Sequence, residues 1–356
     1  MKKILMAAVA LLGGVTQPVL AQEKLSITPA LVAAAEKEGQ VTLQYSSPLE
    51  AMQALMADFN KAYPKIHVNL ERKAGTTGAQ SLLQELAAGV HRIDVFAGTD
   101  AGANSTLAAQ HAFVPVVPEN VKDMGASATV LAPSIYYSDV SRYVVMYNPK
   151  FVTDAEAAKL VDWKSILDPA FKGRISLVEP AFGVVLAPLL YVMNAPGLGE
   201  PYLKQLKAQN PAIYLNTAQA RDALISGQQP IAFLAQWEAV ALGTIESGAP
   251  VRFVYSNPMV ESLGNGWGIV TESPHPNAAR LLLTWLLSRD GGLAMQGPIY
   301  AMRSSLTNLD DTRAGIARVA KESWYHPPGE VWHPDLKDWF ENSPKYQEIF
   351  TNIMHQ

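Results

Sequence analysis

Two threonines between two glycines form a motif that suits anion binding, Gly75-Thr76-Thr77-Gly78. A segment with helical spacing follows directly, and the backbone N–H groups at a helix start attract anions with the help of the helix dipole. The two hydroxyls can replace the water that a captured anion loses. The alternative is a capping box, in which Thr77 caps the helix and Gln80 reaches back to it. We expect Thr76, Thr77 and Gly78 to contact a ligand, with capping as the competing interpretation.

Further hydroxyl groups follow two segments with strand-like sequences. Ser46 and Ser47 come after the strand-like run 41–45, and Thr99 comes after the short strand-like run 93–96. In a doubly wound sheet, ligands bind outside the carboxyl ends of the parallel strands. We therefore expect Ser46, Ser47 and Thr99 to contact the same ligand. Ordinary turn serines before a proline are the alternative for the first pair.

A cation suited to a bound anion is Arg142, which stands just before the strand-like run 143–147. This strand is expected to cross between two lobes, so the guanidinium would lie close to where the lobes meet. A guanidinium binds a carboxylate or a phosphate through two parallel hydrogen bonds. The alternative is an arginine that is simply solvated.

Sequence signatures of enzymes are missing from the chain. It has no G-x-S-x-G, no P-loop, no H-E-x-x-H and no dinucleotide fingerprint. His326, Glu330 and His333 are residue types that suit zinc, but the prolines and glycine at 327–329 disfavour a helix that would give them a common face. A segment that packs its aromatic residues onto the protein explains the same stretch. We predict no catalytic residue, no metal site and no cofactor, and an exported hydrolase or lyase is the alternative of another class.

The composition excludes several classes of protein. The 356 residues are 49% hydrophobic and 17% charged, which argues against a disordered chain and against a coiled coil. Because there is no cysteine, disulfides, cysteine-ligated metals and a thiol nucleophile are excluded. With 28 basic and 32 acidic side chains the net charge is −4, so no excess of cations is present to bind nucleic acid.

The first 21 residues have the pattern of a secretory signal peptide. Lys2 and Lys3 precede an apolar stretch over residues 4–15, and Val19-Leu20-Ala21 offers small residues at a cleavage site. The stretch is too short to span a membrane. We predict export to the periplasm with cleavage after Ala21, and a buried amino-terminal helix is the alternative.

Segments typical of strands and of helices alternate along the rest of the chain, which predicts α/β lobes with helices on the faces of a sheet. Because the length exceeds what one core comfortably fills, we expect two lobes with a cleft between them. The predicted strands are 41–45, 66–70, 93–96, 143–147, 174–178, 230–234, 251–255 and 266–270. The predicted helices are 29–38, 49–62, 79–88, 184–193, 218–225 and 277–288, with a loop over 75–78.

Three segments of the chain resemble type 2 periplasmic binding proteins of the ferric-iron-transporter class. They are Leu31 to Ser47, Trp163 to Gly173, and Asn277-Ala278-Ala279-Arg280 with Leu286-Leu287-Ser288. Members of this family are the extracytoplasmic receptors of ABC importers. The resemblance implies two α/β lobes, each a mixed sheet flanked by helices, which close by a hinge around one ligand. We predict that residues 22–140 and 262–305 form the first lobe, and residues 141–261 and 306–356 the second.

The resemblance also implies ligand contacts from the second lobe, at a turn after a strand, before a helix, and after the strand 230–234. The implied contacts are Phe182, Gly183, Asn216, Gln236 and Trp237. Asn216 is equally suited to cap a helix, and Trp237 is equally suited to pack in a core.

The sequence departs from the ferric-binding members at one informative place. Those members carry two adjacent tyrosines where this chain has Trp237 and Glu238. Neither an indole nor a single carboxylate replaces two phenolates, and ferric ion prefers several anionic oxygens. The adjacent pair Tyr136-Tyr137 stands elsewhere, before the crossing strand. We therefore predict a small organic or phosphorylated anion as the ligand, and ferric ion is the alternative.

The predicted function is that of the substrate-binding component of an ABC transporter. A monomer would capture the small-molecule ligand by hinge closure, because the ligand stabilises the closed form. The closed form would deliver the solute to a permease in the inner membrane. A membrane sensor in place of the permease is the alternative partner.

Overall fold

The computed structural model describes residues 23–73, 76–180 and 183–355, so the predicted signal peptide and Phe182 lie outside the described residues. Within these ranges, strands and helices alternate along most of the chain. The strands are β1 (Glu23–Leu25), β2 (Gln40–Tyr45), β3 (His67–Arg72), β4 (Val95–Gly98), β5 (Val116–Pro118), β6 (Tyr136–Tyr137), β7 (Asp139–Tyr147), β8 (Ile175–Val178), β9 (Ala212–Tyr214), β10 (Ile231–Trp237), β11 (Arg252–Val254), β12 (Met259–Leu263), β13 (Gly266–Ile269), β14 (Arg303–Ser304) and β15 (Val331–Trp332). The α-helices are α1 (Pro29–Glu38), α2 (Leu49–Ala62), α3 (Thr76–Ala87), α4 (Ala101–Ala109), α5 (Asp154–Lys159), α6 (Ala187–Asn194), α7 (Gly199–Ala208), α8 (Thr217–Ser226), α9 (Glu238–Glu246), α10 (Pro276–Leu286), α11 (Arg289–Met295), α12 (Ala314–Val319) and α13 (Leu336–Met354).

The first sheet has five strands in the order β3-β2-β4-β13-β6. Strands β2, β3 and β4 are parallel, and β13 runs antiparallel to β4. Leu43, Val95 and Trp267 are buried in the core of this sheet, which the helices α2 and α10 cover. Since parallel strands end at one edge, the carboxyl ends of β2, β3 and β4 define the edge where ligands are expected.

The second sheet has the order β15-β12-β7-β10-β8-β9, and β11 and β14 also pair with β7. Strand β8 is parallel to β9 and β10, whereas β7 is antiparallel to β10 and β12. One core surrounds Phe171, Leu190 and Phe233, and another surrounds Met146 and Phe253. Both sheets are therefore mixed and flanked by helices, as predicted.

Two of the places where the chain passes between the two sheets lie next to each other. Only Ser138 separates β6 of the first sheet from β7 of the second, and only Gly264 and Asn265 separate β12 from β13. Strands β7 and β12 pair with each other, with Arg142 opposite Glu261. Two paired strands at the junction are suited to a hinge between lobes, because a few residues at their ends can absorb a rotation.

Local sequence explains where helices α1 and α8 begin or end. The Thr28 hydroxyl accepts a hydrogen bond from the Leu31 N–H at 3.1 Å and so begins α1. Gly39 and Gly227 end α1 and α8 with φ angles of 72° and 82°, a backbone conformation that glycine adopts without strain. Each predicted strand and helix overlaps an observed one.

Helix α13 was not predicted, and it contacts both lobes. Trp339 and Phe350 enter the core of the second lobe, while Leu336 packs against the cores of both. A cavity of about 450 Å³ between α4 and α13 is lined by Gly102 and Phe340 among others. None of the helices in the described ranges is both long and apolar enough to cross a membrane.

Candidate ligand-binding site

The carboxyl-end edge of the first sheet brings Ser46 and Thr99 together. Their hydroxyl oxygens lie 3.2 Å apart, and the Ser46 Oγ accepts a hydrogen bond from the Thr99 backbone N–H at 3.1 Å. This contact follows from the pairing of β2 with β4, in which Tyr45 is in register with Ala97. Both hydroxyl residues are half-buried. The two residues therefore lie at one place, and their contact with a ligand stays a prediction.

Ser47 points toward the strands that connect the lobes. Its hydroxyl donates to Asn265 Oδ1 at 2.7 Å, and Asn265 Nδ2 donates to the Tyr300 hydroxyl at 2.7 Å and to Asp139 Oδ1 at 3.3 Å. Burial raises the pKa of Asp139, although the hydrogen bonds from Ser138 and Asn265 oppose the shift. Ser47 thus links the ligand edge to the start of β7, and its own ligand contact stays a prediction.

Helix α3 begins at Thr76, earlier than predicted, so the loop predicted here is too long. Thr77 is exposed in the first turn of the helix and does not precede it, and the capping box therefore does not fit. Gly78 is buried: Gln44 Nε2 donates to its carbonyl at 2.9 Å, and a Cβ at this position would lie 3.0 Å from the Lys73 carbonyl. A glycine here lets the helix start lie close against β2. The ligand contacts of Thr76, Thr77 and Gly78 stay predictions.

Arg72, which the sequence analysis did not single out, stands at the same edge. It is the last residue of β3, in register with Tyr45 of β2, and its side chain is exposed. The Arg72 Nε donates to the Ser47 carbonyl at 2.8 Å. Burial raises the pKa of Tyr45, and the nearby charge of Arg72 opposes the shift. A cation at the end of a predicted strand, just before Gly75-Thr76-Thr77-Gly78, is the sequence signal that could have revealed it.

Arg142 lies within β7 and does not precede it, which corrects the predicted start of the strand. Its Nε donates to Glu261 Oε2 at 2.9 Å, and both side chains are largely buried. Burial lowers the pKa of this guanidinium, but Glu261 and Glu238 outweigh that effect, and the net shift is upward. Because its charge is already balanced, a ligand contact by Arg142 would compete with Glu261, and the contact stays a prediction.

The predicted contacts of α8 and β10 lie next to each other in the second lobe. Gln236 is buried, and its Nε2 donates to the Thr217 carbonyl at 2.7 Å, whereas its Oε1 has no hydrogen-bond partner among the described residues. The Asn216 Oδ1 accepts from the Gln219 N–H at 3.0 Å, so the capping interpretation of Asn216 is confirmed. Trp237 is half-buried at the end of β10. Ligand contacts by these residues stay predictions.

Gly183 begins a short 3-10 helix, Gly183–Leu186, which leads into α6. The segment before it is held by α13, because Gln347 Nε2 donates to the Pro180 carbonyl at 2.7 Å. His355 of the segment after α13 lies 2.9 Å from a Glu179 carboxylate oxygen. Glu179 and Pro180 are therefore contacted by an element that the sequence analysis missed, and contact of Gly183 with a ligand stays a prediction.

Glu238 is buried in a network of charges. Its carboxylate accepts hydrogen bonds from the Tyr255 hydroxyl and from the Arg313 guanidinium. Arg313 also pairs with Asp311 at 2.6 Å, and Asp311 pairs with Arg303 at 2.9 Å. Burial lowers the pKa of Arg313, but Asp311 and Glu238 outweigh that effect and raise it. The charge of Glu238 is thus balanced by protein groups.

Within the part of the chain that the structure describes, no three histidine, aspartate or glutamate side chains are grouped so as to hold a metal ion. The adjacent tyrosines Tyr136 and Tyr137 are buried in the first lobe. The Tyr136 hydroxyl donates to the Val116 carbonyl at 2.6 Å, and burial raises its pKa to about 12. A phenolate is therefore disfavoured at this position.

The stretch that carries His326, Glu330 and His333 packs its aromatic residues onto the second lobe. The ring centroid of Trp324 lies 5.6 Å from that of Phe253, and the ring of Tyr325 lies 6.0 Å from the same phenylalanine. The ring of Trp332 lies 5.3 Å from that of Tyr191. The packing interpretation of this stretch is thus confirmed.

Two mixed α/β lobes joined by paired strands, with polar groups at strand ends and helix starts, define a solute-binding protein of the type 2 periplasmic class. The sequence profile of the bacterial extracellular solute-binding protein family matches residues 45–292, and the chain belongs to this family. Its members are not enzymes but bind a small-molecule ligand and work with an ABC permease, as the sequence analysis predicted.

Solved structures agree with this class. The chain is 19% identical to the iron-bound protein HitA from Pseudomonas aeruginosa, with a TM-score of 0.69, covering 88% of this chain and 99% of that one. It is 16% identical to FutA (IdiA) from Trichodesmium in complex with iron and citrate, with a TM-score of 0.72 and coverage of 88% and 99%. A substrate-binding protein of an ABC transporter from Agrobacterium tumefaciens is 15% identical, with a TM-score of 0.68 and coverage of 88% and 94%. The comparison with curated protein sequences gave no match. At these identities the similarity shows the fold, which confirms the predicted two-lobe architecture.

Proposed function

We propose that this protein captures a small organic or phosphorylated anion between its lobes and delivers it to an ABC permease. The proposal rests on a contrast between the edge of the first lobe and the residues that follow β10. The hydroxyls of Ser46 and Thr99 share an edge with the cation Arg72, whereas the place of the metal-binding tyrosines is taken by Trp237 and the fully paired Glu238. Hydroxyl and guanidinium groups are donors that replace the hydration of an anion.

Hinge closure is proposed as the capture step. The first lobe would comprise residues 22–140 and 262–305, and the second residues 141–261 and 306–356. The cores support this division except at Leu306 and Leu309, which pack in the first core, and at Ala101, which packs in the core of the second lobe. Closure would add the second-lobe groups Gly183, Asn216 and Gln236 to a ligand held by the first lobe, and the permease would recognise the closed form. We propose that the protein is exported through its signal peptide and acts as a monomer in the periplasm.

A thermal-shift experiment tests the ligand class. The chain from residue 22 onward is heated with inorganic phosphate, glycerol 3-phosphate, methylphosphonate, pyruvate or citrate. A compound present at about 100 times its dissociation constant should add about 2.7 kcal/mol to the free energy of unfolding, which raises the melting temperature. If none of the five compounds raises it, the proposed ligand class is wrong.

Ferric ion is the second candidate ligand, because two of the similar solved structures are described as containing iron. The buried pair Tyr136-Tyr137 and the paired Glu238 argue against it, since ferric ion prefers several anionic oxygens that are free to coordinate. Ferric nitrilotriacetate serves as the probe in the same experiment. A melting temperature raised by this compound alone would establish the ferric alternative, and the receptor class would stand.

A further inference from the structure

Arg72 differs from nearly all other arginines because it lacks an acidic partner. Of the eleven arginines, all of which lie in the described ranges, nine form a salt bridge with a carboxylate. The two exceptions are Arg72 at the end of β3 and Arg289 at the start of α11. An unpaired guanidinium at the ligand edge retains its full capacity for a negative partner.

The hydrogen bond that Arg72 makes within the protein orients its side chain. Its Nε donates to the Ser47 carbonyl at 2.8 Å, which fixes the plane of the guanidinium beside the end of β2. The two Nη groups are the remaining donors, and two such N–H groups match the spacing of two oxygens of a carboxylate or phosphate. The guanidinium is thus held in one orientation before a ligand arrives.

A second unpaired polar group lies close to this arginine. The Tyr45 hydroxyl is buried and has no hydrogen-bond partner among the described residues. Tyr45 is in register with Arg72 on the neighbouring strand, and the arginine charge acts on its hydroxyl. Buried hydroxyls without a partner are uncommon in folded proteins, and this one leaves an unsatisfied donor on the strand next to Arg72.

We propose that Arg72 binds the oxyanion group of the ligand through its two Nη groups and is the residue that selects for negative charge. Ser46 and Thr99, on the neighbouring strand ends, supply hydroxyl donors to the same oxyanion. Arg142 does not take this role, because Glu261 already balances its charge. This inference rests on the proposed anion-binding function and assigns the cation that performs it.

Isothermal titration calorimetry of three variants tests the assignment. Arg72→Gln removes the charge, Arg72→Lys keeps the charge but removes the paired donors, and Arg289→Gln is the matched control at the other unpaired arginine. Each variant and the wild type are titrated with inorganic phosphate, glycerol 3-phosphate, pyruvate and citrate. Glycerol is titrated as the probe that lacks an oxyanion.

We expect Arg72→Gln to lower the affinity for each bound oxyanion at least tenfold and Arg72→Lys to lower it less, while Arg289→Gln leaves it unchanged. Thermal unfolding without ligand checks that the exposed substitutions leave the fold intact. The intermediate affinity of Arg72→Lys is a result that partial unfolding would not produce. The phosphate and carboxylate titrations show which oxyanion the site takes.

Two results would overturn the assignment, and they differ. If the wild type binds a compound of the panel and Arg72→Gln binds it as well as Arg289→Gln does, Arg72 is not the selecting residue, and the anion-binding function stands. If the wild type binds none of the four oxyanions, the proposed ligand class fails together with the role of Arg72.

Discussion

The strand-end edge of the first lobe and the buried charges of the second lobe differ in how their polar groups are paired. At the edge of the first lobe, Ser46 and Thr99 are half-buried, and Arg72 has no acidic partner among the residues that the structure describes. In the second lobe, Arg142 is paired with Glu261, and Arg313 is paired with Glu238. The first lobe therefore offers donors to a ligand, whereas the charges of the second lobe are used within the protein.

This difference indicates where the charge of a ligand is balanced. Separating a buried ion pair leaves an uncompensated charge, which costs several kcal/mol. An anion that had to displace Glu261 or Glu238 would meet that cost, and an anion at Arg72 would not. The first lobe is thus expected to bind the solute first, and the second lobe to add uncharged groups upon closure.

The largest effect is expected when a buried ion pair of the second lobe is broken. Glu238→Ala should lower the free energy of unfolding by about 3–5 kcal/mol, because Arg313 loses a buried partner. The control is Glu246→Ala, which removes an exposed pair with Arg318 and should cost less than about 1 kcal/mol. Urea unfolding measures both. Equal losses of unfolding free energy in the two variants would contradict a buried charge network around Glu238 that is balanced within the second lobe.

A somewhat smaller effect is expected where the two regions meet. Asn265→Ala removes the acceptor of the Ser47 hydroxyl and the donor to Tyr300, so it should cost about 1–3 kcal/mol. Asn69→Ala, at a half-buried position of β3 where, among the described residues, the side chain bonds only Gln40 at 3.2 Å, is the control and should change stability by less than about 0.5 kcal/mol. Urea unfolding again gives the values, and a loss as small as that of the control would contradict the link from the ligand edge to β7.

Acid should lower the free energy of unfolding, and part of this loss should come from the carboxylate of Asp311 in the second lobe. Burial alone would raise the pKa of Asp311, but hydrogen bonds and charges from Arg313 and Arg303 lower it below the usual range. A carboxylate with a lowered folded-state pKa stabilises the fold above its unfolded pKa of about 4 and loses this effect as the pH falls through the lower value. The urea midpoint of the wild type should therefore fall more between pH 6 and pH 3 than that of Asp311→Asn. If the urea midpoints of the two proteins fall equally between pH 6 and pH 3, the stabilising role of ionised Asp311 is contradicted.

The smallest effect on stability is expected at the edge of the first lobe, where Thr77 is a predicted ligand contact. Thr77→Val, in the exposed first turn of α3, should change the free energy of unfolding by less than about 0.5 kcal/mol. If its hydroxyl donates to the ligand, affinity for the bound oxyanion should fall about 2- to 10-fold. Thr129→Val, at a half-buried position in the 3-10 helix Ala126–Thr129, is the control for calorimetric titration. An affinity equal to that of the control would leave Thr77 without a ligand contact.

The fold was largely predictable because its signals are local. Apolar periodicity separates strands from helices, and Gly39 and Gly227 mark helix ends through their left-handed conformation. Helix α13 escaped prediction although its apolar residues have helical spacing, because Pro344 in its interior is typical of a helix break. The start of α3 was placed too late because glycine at 78 is typical of a loop, whereas here it allows close packing against β2.

The candidate site was predictable only in part, because side-chain partners come from distant parts of the chain. The rule for carboxyl ends of parallel strands places Ser46 and Thr99 together, and the structure agrees. The partner of Ser47 is 218 positions away, and the partner of Arg142 is 119 positions away. No local pattern reveals which charges are already balanced, so the sequence predicts Arg142 as the cation and does not distinguish Arg72 from the paired arginines.

The contact of α13 with α4 affects how the lobes can move in the proposed closure. Trp339 and Phe350 fix α13 in the second lobe, while Phe340 faces the small residues Ala101 and Gly102 at the start of α4. In the proposed closure, a rotation about β7 and β12 would move the Phe340 ring over Ala101 and Gly102, which carry no bulky side chain to interlock with it. Little steric resistance to the proposed closure is therefore expected at this contact.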